Sequence, residues 1–153
     1  MKLEIPLPDE RATADLGRRL AVLFREGDFI ALAGPHGAGK TSLARAAICE
    51  LTGRTEAQSP TFSLVETYDA PEFKLWHFDL YRLEKAEEVW ELGFEEVLDD
   101  GVAIIEWPDR IEKLIPASAL FIRLSHDGEA RRALIGGAGE WADRLSALNV
   151  GEG

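Results

Sequence analysis

The stretch DFIALAGPHGAGKTSL, residues 28–43, decides the fold of this 153-residue chain. It opens with a continuous apolar run, residues 28–33, which is typical of a strand buried on both faces of a parallel sheet. A glycine-rich loop follows, and residues 41–51 then have the spacing of a helix that closes at Gly53. The order of strand, glycine loop and helix predicts an α/β fold.

The loop itself has the residue pattern of a phosphate-binding loop, or P-loop. Gly34 and Gly39 bracket four residues and are followed by Lys40 and Thr41, which matches G-x-x-x-x-G-K-[ST] in full. Glycines let backbone N–H groups approach phosphate oxygens, and the start of the next helix adds its positive end. Lys40 supplies a charge for the outer phosphates, and the Thr41 hydroxyl is suited to ligating magnesium. The predicted cradle consists of Gly34, Gly37, Ala38, Gly39, Lys40, Thr41 and Ser42. The predicted cofactors are ATP and Mg²⁺.

Two acidic residues follow apolar strands and are candidates for the metal site. Asp79 closes the apolar run 75–78, and Glu106 closes the run 102–105. Either acid alone is as well explained by helix capping or a solvated strand end, but a P-loop needs a carboxylate near its metal. His77 is better explained as a packed, hydrogen-bonded histidine than as a catalytic group. Trp107 packs as a lid or presents an exposed aromatic surface, and the sequence leaves both open.

The remaining periodicity predicts one α/β domain of the P-loop NTPase class, with a mostly parallel central sheet flanked by helices and with antiparallel strand additions. We expect the domain to span residues 1–149, with a disordered tail at 150–153. The predicted strands are residues 3–8, 28–33, 62–68, 73–79, 102–106, 120–124 and 131–135. The predicted helices are residues 9–26, stopped by Gly27, then 41–51, 84–92 and 138–148.

Composition and charge narrow the function classes. The chain has a hydrophobic fraction of 46%, a single cysteine, and neither a secretory signal nor an apolar run long enough to span a membrane. We therefore expect a soluble cytoplasmic protein without membrane association. A formal net charge of −11 disfavours direct binding to a nucleic-acid backbone. Any role on RNA is expected to run through a partner that carries the basic surface.

Five sequence blocks together resemble the TsaE (YjeE) family of ATPases, which are required for threonylcarbamoyl modification of tRNA. The resemblance covers nearly the whole chain. The blocks are GAGKTSL at 37–43, SPTFSLV at 59–65, HFDLYRL at 77–83, ELGF at 91–94 and IEWPDR at 105–110. The family usually has Asp-Leu where this chain has Pro35 and His36, which are variable positions of the motif.

The resemblance implies roles for several residues of the site. Lys40 and Thr41 would contact the phosphates and magnesium, and Glu106 would be the second protein ligand of that metal. Asp79 would act as a Walker-B-like acid, and Thr61 as a switch-like threonine near the terminal phosphate. These implied roles make Lys40, Thr61, Asp79 and Glu106 the expected catalytic residues.

Two further residues and two partner proteins also follow from the resemblance. Thr13 and Arg131 are similar in place to residues that flank the nucleotide. ATP hydrolysis would support the TsaB and TsaD proteins, of which TsaD modifies the adenosine beside the tRNA anticodon. The tRNA would then be reached indirectly, through these partners. Self-association is left open.

Two other functions remain compatible with a P-loop domain. One is a small-molecule kinase, which would normally close an arginine-bearing lid over the phosphates. Its candidate arginines, Arg123, Arg131 and Arg132, lie around a predicted hairpin at the turn Asp127-Gly128 instead. The other is a nucleotide-gated binding module, in which ATP orders the loop 59–65 without essential hydrolysis.

Overall fold

A seven-stranded mixed sheet organises the chain in its computed structural model, which describes residues 2–57 and 64–148. The strands are β1 Lys2–Leu7, β2 Phe29–Ala33, β3 Val65–Asp69, β4 Lys74–Asp79, β5 Val102–Glu106, β6 Leu120–Asp127 and β7 Ala130–Gly136. Their order across the sheet is β1-β7-β6-β2-β5-β4-β3. The four central strands, β6, β2, β5 and β4, run parallel, while β1, β7 and β3 are added antiparallel. The predicted α/β architecture is confirmed.

Four α-helices and two 3₁₀ segments complete the fold of the residues that the structure describes. The helices are α1 Glu10–Ala21, α2 Lys40–Thr52, α3 Phe94–Asp99 and α4 Glu140–Leu145. The 3₁₀ segments are Ala86–Leu92 and Pro108–Leu114. Within the described parts of the chain, no helix is both long enough and apolar enough to cross a membrane.

The core forms two layers because β2, β4 and β5 are buried on both faces. On one face α1 and α2 pack on the sheet, and their Leu16, Leu20, Leu43 and Ile48 join strand residues such as Leu32. On the other face α3 and the 3₁₀ segments cover strand residues that include Phe29, Phe78 and Ile105. This two-sided burial explains the continuous apolar run of β2. Because β2 runs parallel to its neighbours β5 and β6, the glycine loop that follows it begins at the C-terminal edge of the parallel strands.

The first helix ends earlier than its sequence pattern suggests. Residues 9–26 are predicted as a helix, but α1 stops at Ala21 and Gly27 lies in the turn before β2. The Asp28 carboxylate accepts the Arg25 backbone N–H and pairs with Arg144 of α4 at 2.6 Å. The apolar residues 22–24 therefore line a turn tied to the C-terminal helix, a long-range contact that local periodicity does not encode.

Several other predicted boundaries also change. Strand β1 ends at Leu7 instead of residue 8, because Asp9 caps α1 by accepting the Ala12 N–H. The predicted helix 84–92 is a 3₁₀ segment that stops at Gly93, and the last helix covers only 140–145 of the predicted 138–148. Strand β3 is described from Val65 onward. Residues 62 and 63 of its prediction, and the predicted tail 150–153, lie outside the described residues.

Candidate nucleotide-binding site

The glycine loop between β2 and α2 has a backbone that only glycine adopts without strain. Gly34 has a φ of 142°, and a Cβ there would lie 2.4 Å from the Leu124 carbonyl oxygen of β6. Gly39 has a φ of 103°, and its Cβ would meet Arg131 Nη1 at 3.1 Å and Thr13 Cγ2 at 3.2 Å. Positive φ together with this close approach excludes other residue types. The loop is thus held between β6 and α1.

The same distances place Thr13 and Arg131 beside the loop. Thr13 is fully buried on α1, where its hydroxyl lies 3.5 Å from the Asp9 carbonyl oxygen. Arg131 reaches Gly39 from β7, near the far edge of the sheet. The fold brings both residues together from distant parts of the chain. Their binding roles stay predictions.

Lys40 lies at the start of α2, and only 5% of it is exposed. Its Nζ donates to the Gly34 carbonyl and, at 3.1 Å, to the Pro35 carbonyl, and it lies 4.2 Å from the centre of the Trp107 ring. Burial lowers the pKa of Lys40, and the nearby carboxylates, chiefly Glu106, oppose this shift. A phosphate bound in the loop would therefore replace these carbonyls as the partner of the Lys40 ammonium.

Glu106 and Asp79 end neighbouring parallel strands and stand opposite each other in the register of β5 and β4. Glu106 is 2% exposed; its Oε1 accepts the Thr41 hydroxyl at 3.0 Å, and its Oε2 lies 2.6 Å from Nε2 of His77. Asp79 is half-buried, and its Oδ1 accepts the Tyr81 backbone N–H at 3.2 Å. Burial raises the pKa of Asp79, and the Tyr81 hydrogen bond opposes this rise. The two acids predicted from strand ends do meet at one edge of the sheet.

The oxygens of Thr41 and Glu106 fit a magnesium ion that arrives with a nucleotide. They are hard donors 3.0 Å apart at the start of α2, where Thr41 directly follows Lys40. Among residues 2–57 and 64–148, no group of three or more His, Cys, Asp or Glu side chains is placed to hold a metal. Mg²⁺ commonly takes one or two protein ligands and completes its shell with phosphates and water. The donor set therefore suits Mg²⁺ bound together with phosphates.

Sequence reasoning missed an aromatic cluster over the loop. The rings of His36, Tyr81 and Trp107 have centres 4.4 to 4.9 Å apart in all three pairs. Trp107 takes a left-handed backbone, with a φ of 60°, which is unusual for a residue other than glycine. That turn folds its ring back from the end of β5 onto Lys40. Trp107 is thus a half-buried part of the site, and only its position after Glu106 gave a signal in the sequence.

The remaining predicted residues are placed less directly. Ala38 is buried in the loop, and the Ser42 hydroxyl donates to Glu10 on α1 at 3.1 Å. Gly37 has a φ of 79°, and a Cβ there would lie 4.0 Å from the His126 ring. Thr61, with the rest of the segment 58–63, lies outside the described residues.

A glycine loop between a central parallel strand and the following helix, beside carboxylates at neighbouring strand ends, defines a P-loop NTPase fold. Residues 7–134 match the family model described as "Threonylcarbamoyl adenosine biosynthesis protein TsaE". Because this match covers most of the chain, the chain belongs to the TsaE family.

Individual relatives agree with the family match. The chain is 39% identical over 127 residues to a tRNA threonylcarbamoyladenosine biosynthesis protein TsaE of Rickettsia felis, covering 82% of this chain and 74% of the relative. It is 33% identical over 129 residues to the protein of that name from Bacillus subtilis, covering 83% and 78%. The crystal structure of Bacillus subtilis YdiB superposes with a TM-score of 0.79 at 24% identity, over 100% of this chain and 97% of that one. The last likeness concerns the fold.

Proposed function

We propose that this chain is a magnesium-dependent ATPase that acts, together with TsaB and TsaD, in forming the threonylcarbamoyl group on the adenosine next to the tRNA anticodon. One observation carries the catalytic part of the proposal. The Thr41 hydroxyl and a Glu106 oxygen lie 3.0 Å apart at the start of α2, where the Lys40 ammonium is held inside the glycine loop. Metal donors and a phosphate-binding cation therefore converge on one place.

Nucleotide binding would use the loop backbone first. In this class of site the backbone N–H groups of the loop and of the first helical turn bind the phosphates, and the N-terminal end of α2 would add a partial positive charge. Lys40 would exchange the Gly34 and Pro35 carbonyls for phosphate oxygens. Thr13 and Arg131, which lie beside Gly39, would border the bound nucleotide.

Hydrolysis would then transfer the terminal phosphoryl group to water. Bound Mg²⁺ supplies charge stabilisation for the phosphate oxygens, with Thr41 and Glu106 as its protein ligands. The water oxygen forms a bond to the terminal phosphorus, the bond to the leaving ADP oxygen breaks, and a proton leaves the water. Asp79 suits the acceptor of that proton because it stands next to Glu106 and burial raises its pKa. Thr61 stays a predicted contact of the terminal phosphate.

The tRNA-modification part of the proposal rests on the family and on charge. Relatives carry the name of tRNA threonylcarbamoyladenosine biosynthesis proteins. A chain with a net charge of −11 is poorly suited to holding tRNA by its own field, so basic partner proteins would do so. TsaB and TsaD as those partners, and the cytoplasm as the compartment, are inferred from the family resemblance.

The kinase alternative is disfavoured by the positions of the candidate arginines. Arg132 is exposed and pairs with Glu4 and Asp127, while Arg123 lies on the same open face of the sheet. Arg131 approaches Gly39, and Arg123 lines a cavity with Gly34 and Pro35, but both stand on strands of the sheet and neither belongs to an inserted lid. A nucleotide-gated binding module remains the second candidate, because Lys40 and Trp107 would both change contacts when a nucleotide binds.

Reconstitution with purified TsaB and TsaD tests the proposal. We expect these partners to raise phosphate release from ATP, and we expect Lys40→Ala and Glu106→Ala to abolish it. The exposed residues Lys113 and Glu95 provide matched controls, and Lys113→Ala and Glu95→Ala should keep wild-type turnover. Unchanged turnover in both site variants would refute the ATPase assignment. Full tRNA modification with a non-hydrolysable ATP analogue would instead favour the binding module, and a phosphorylated metabolite in place of free phosphate would favour the kinase.

A further inference from the structure

His77 is a fully buried polar residue whose position packing alone does not explain. It lies on β4 between Ile104 of β5 and Glu66 of β3, and it shares a sheet face with the buried Leu75. Its Nδ1 has no hydrogen-bond partner within the described parts of the chain. Leaving a buried polar atom unpaired destabilises a fold, and such atoms are rare enough to require an explanation. An apolar side chain would fill this position without that penalty.

The other ring nitrogen supplies the explanation. Nε2 of His77 lies 2.6 Å from Oε2 of Glu106, and both side chains are almost completely buried. Since Nδ1 is unpaired, the tautomer with its proton on Nε2 lets His77 donate to the Glu106 carboxylate. Oε1 of the same carboxylate faces the Thr41 hydroxyl. The two oxygens of Glu106 therefore have separate partners.

Because each oxygen has its own partner, Glu106 can provide only one oxygen to a metal ion beside Thr41. Oε1 points to the proposed metal position, while Oε2 is held by the histidine on the opposite side. Mg²⁺ prefers octahedral coordination by single oxygens, whereas Ca²⁺ takes six to eight oxygens and often binds a carboxylate through both. We propose that His77 is a positioning residue that makes Glu106 a single-oxygen ligand and so gives the site its preference for Mg²⁺ over Ca²⁺. This inference rests on the proposed metal site at Thr41 and Glu106.

The test is a direct measurement of ion binding, so that it does not depend on ATPase activity. Mg²⁺ and Ca²⁺ are each titrated into the full chain with saturating ADP, at one fixed pH, by isothermal titration calorimetry with an ADP-only blank. In the variant His77→Leu, Glu106 loses its orienting donor and its second oxygen becomes available. We expect the Mg²⁺ affinity to fall about tenfold or more, while the Ca²⁺ affinity is kept or rises. The ratio of the two affinities should therefore fall at least about tenfold.

Two further variants separate positioning from packing. In His77→Gln the side-chain amide can still donate to Oε2, so the Mg²⁺ preference should be kept. His77→Asn is polar but too short to reach that oxygen, so it should behave like His77→Leu and keeps the test available if the leucine variant fails to fold. Ile104→Ala, which removes packing beside His77, should lower the melting temperature without changing the ion ratio.

The outcomes distinguish this inference from the site on which it rests. Wild-type ion preference in both His77→Leu and His77→Asn would overturn the role of His77 while leaving the metal site in place. Unchanged Mg²⁺ binding in Thr41→Ala and Glu106→Gln would remove the metal site itself, and the inference with it. Loss of the Mg²⁺ preference in His77→Leu and His77→Asn, with recovery in His77→Gln, would support the assignment.

Discussion

Replacing Asp79 by asparagine should make the nucleotide-free protein more stable at neutral pH while removing the proposed ATPase activity. Burial raises the pKa of Asp79 above the ordinary value of 3.8, and the neighbouring Glu106 carboxylate acts in the same direction. The folded chain then binds this proton more tightly than the unfolded chain does. The ionised carboxylate therefore destabilises the fold, and this penalty is fully present above the folded-state pKa and vanishes as pH falls below 3.8.

The structure bounds the size of this effect. The introduced asparagine would keep the side-chain oxygen that accepts the Tyr81 N–H, so the substitution removes the charge without removing that hydrogen bond. Because Asp79 is only half-buried, solvent screening limits the gain to about 1 kcal/mol. For a chain of this size that corresponds to a rise in melting temperature of roughly 2–4 °C.

Thermal denaturation followed by circular dichroism between pH 4 and pH 8 measures the effect. The melting temperature of Asp79→Asn should exceed that of the wild type at pH 8, and the difference should shrink once the pH falls below the folded-state pKa of Asp79 toward pH 4. Asp69→Asn, at an exposed carboxylate that ends β3, is the matched control and should give a smaller difference. A less stable Asp79→Asn protein at pH 8, or a difference independent of pH, would refute this reasoning.

Three further substitutions test other parts of the structure. Gly39→Ala should weaken ADP binding at least about tenfold in a fluorescence-anisotropy titration, because the loop must shift to relieve a φ of 103° and the contact with Arg131. Gly53→Ala is the control and should keep the affinity, because Gly53 also has a positive φ but a Cβ there would have no neighbour within 4 Å. Nucleotide binding should change the tryptophan fluorescence as Lys40 leaves the Trp107 ring, and the change should disappear in Trp107→Phe but persist in Trp90→Phe, where the ring is exposed. Arg144→Met should cost about 3 kcal/mol in urea denaturation because the buried Asp28 carboxylate loses its ion-pair partner. Arg19→Met, at an exposed ion pair, should cost less than about 1 kcal/mol.

Local sequence patterns predicted the elements that carry the site. The bounds of β5 were predicted correctly, and those of β2 and α2 to within one residue, because a buried apolar strand and a glycine-stopped helix depend on neighbouring residues alone. The proximity of Asp79 and Glu106 was also predictable, because the carboxyl ends of parallel strands meet at one sheet edge. The register of the two strands then places the acids directly opposite each other.

Contacts between distant segments were not predictable in this way. The early end of α1 depends on Arg144, which lies more than a hundred residues after Asp28. His77 is buried and hydrogen-bonded as predicted, but the sequence does not show that its partner is Glu106 on the neighbouring strand. The cluster of His36, Tyr81 and Trp107 joins three separate loops. It depends on the left-handed backbone of Trp107, which the sequence does not signal because the residue is not a glycine.

The charges of the site favour joint binding of the proposed nucleotide and magnesium. Lys40 is the buried cation at the loop, and the acidic side chains of Glu106, Asp79 and Asp109 all act on it electrostatically. A nucleotide that arrived without a metal would bring its negative phosphates close to these carboxylates. The positive charge of Lys40 would then have to offset both the phosphates and the carboxylates. A divalent ion between Glu106 and the phosphates converts that repulsion into two attractions. We therefore expect the affinity for ADP to depend steeply on Mg²⁺ in the wild type. In Glu106→Gln, where one carboxylate charge is gone, ADP should bind more tightly without Mg²⁺ and gain less from its addition; an equal gain in both proteins would show that Glu106 is not the residue that links the two ligands.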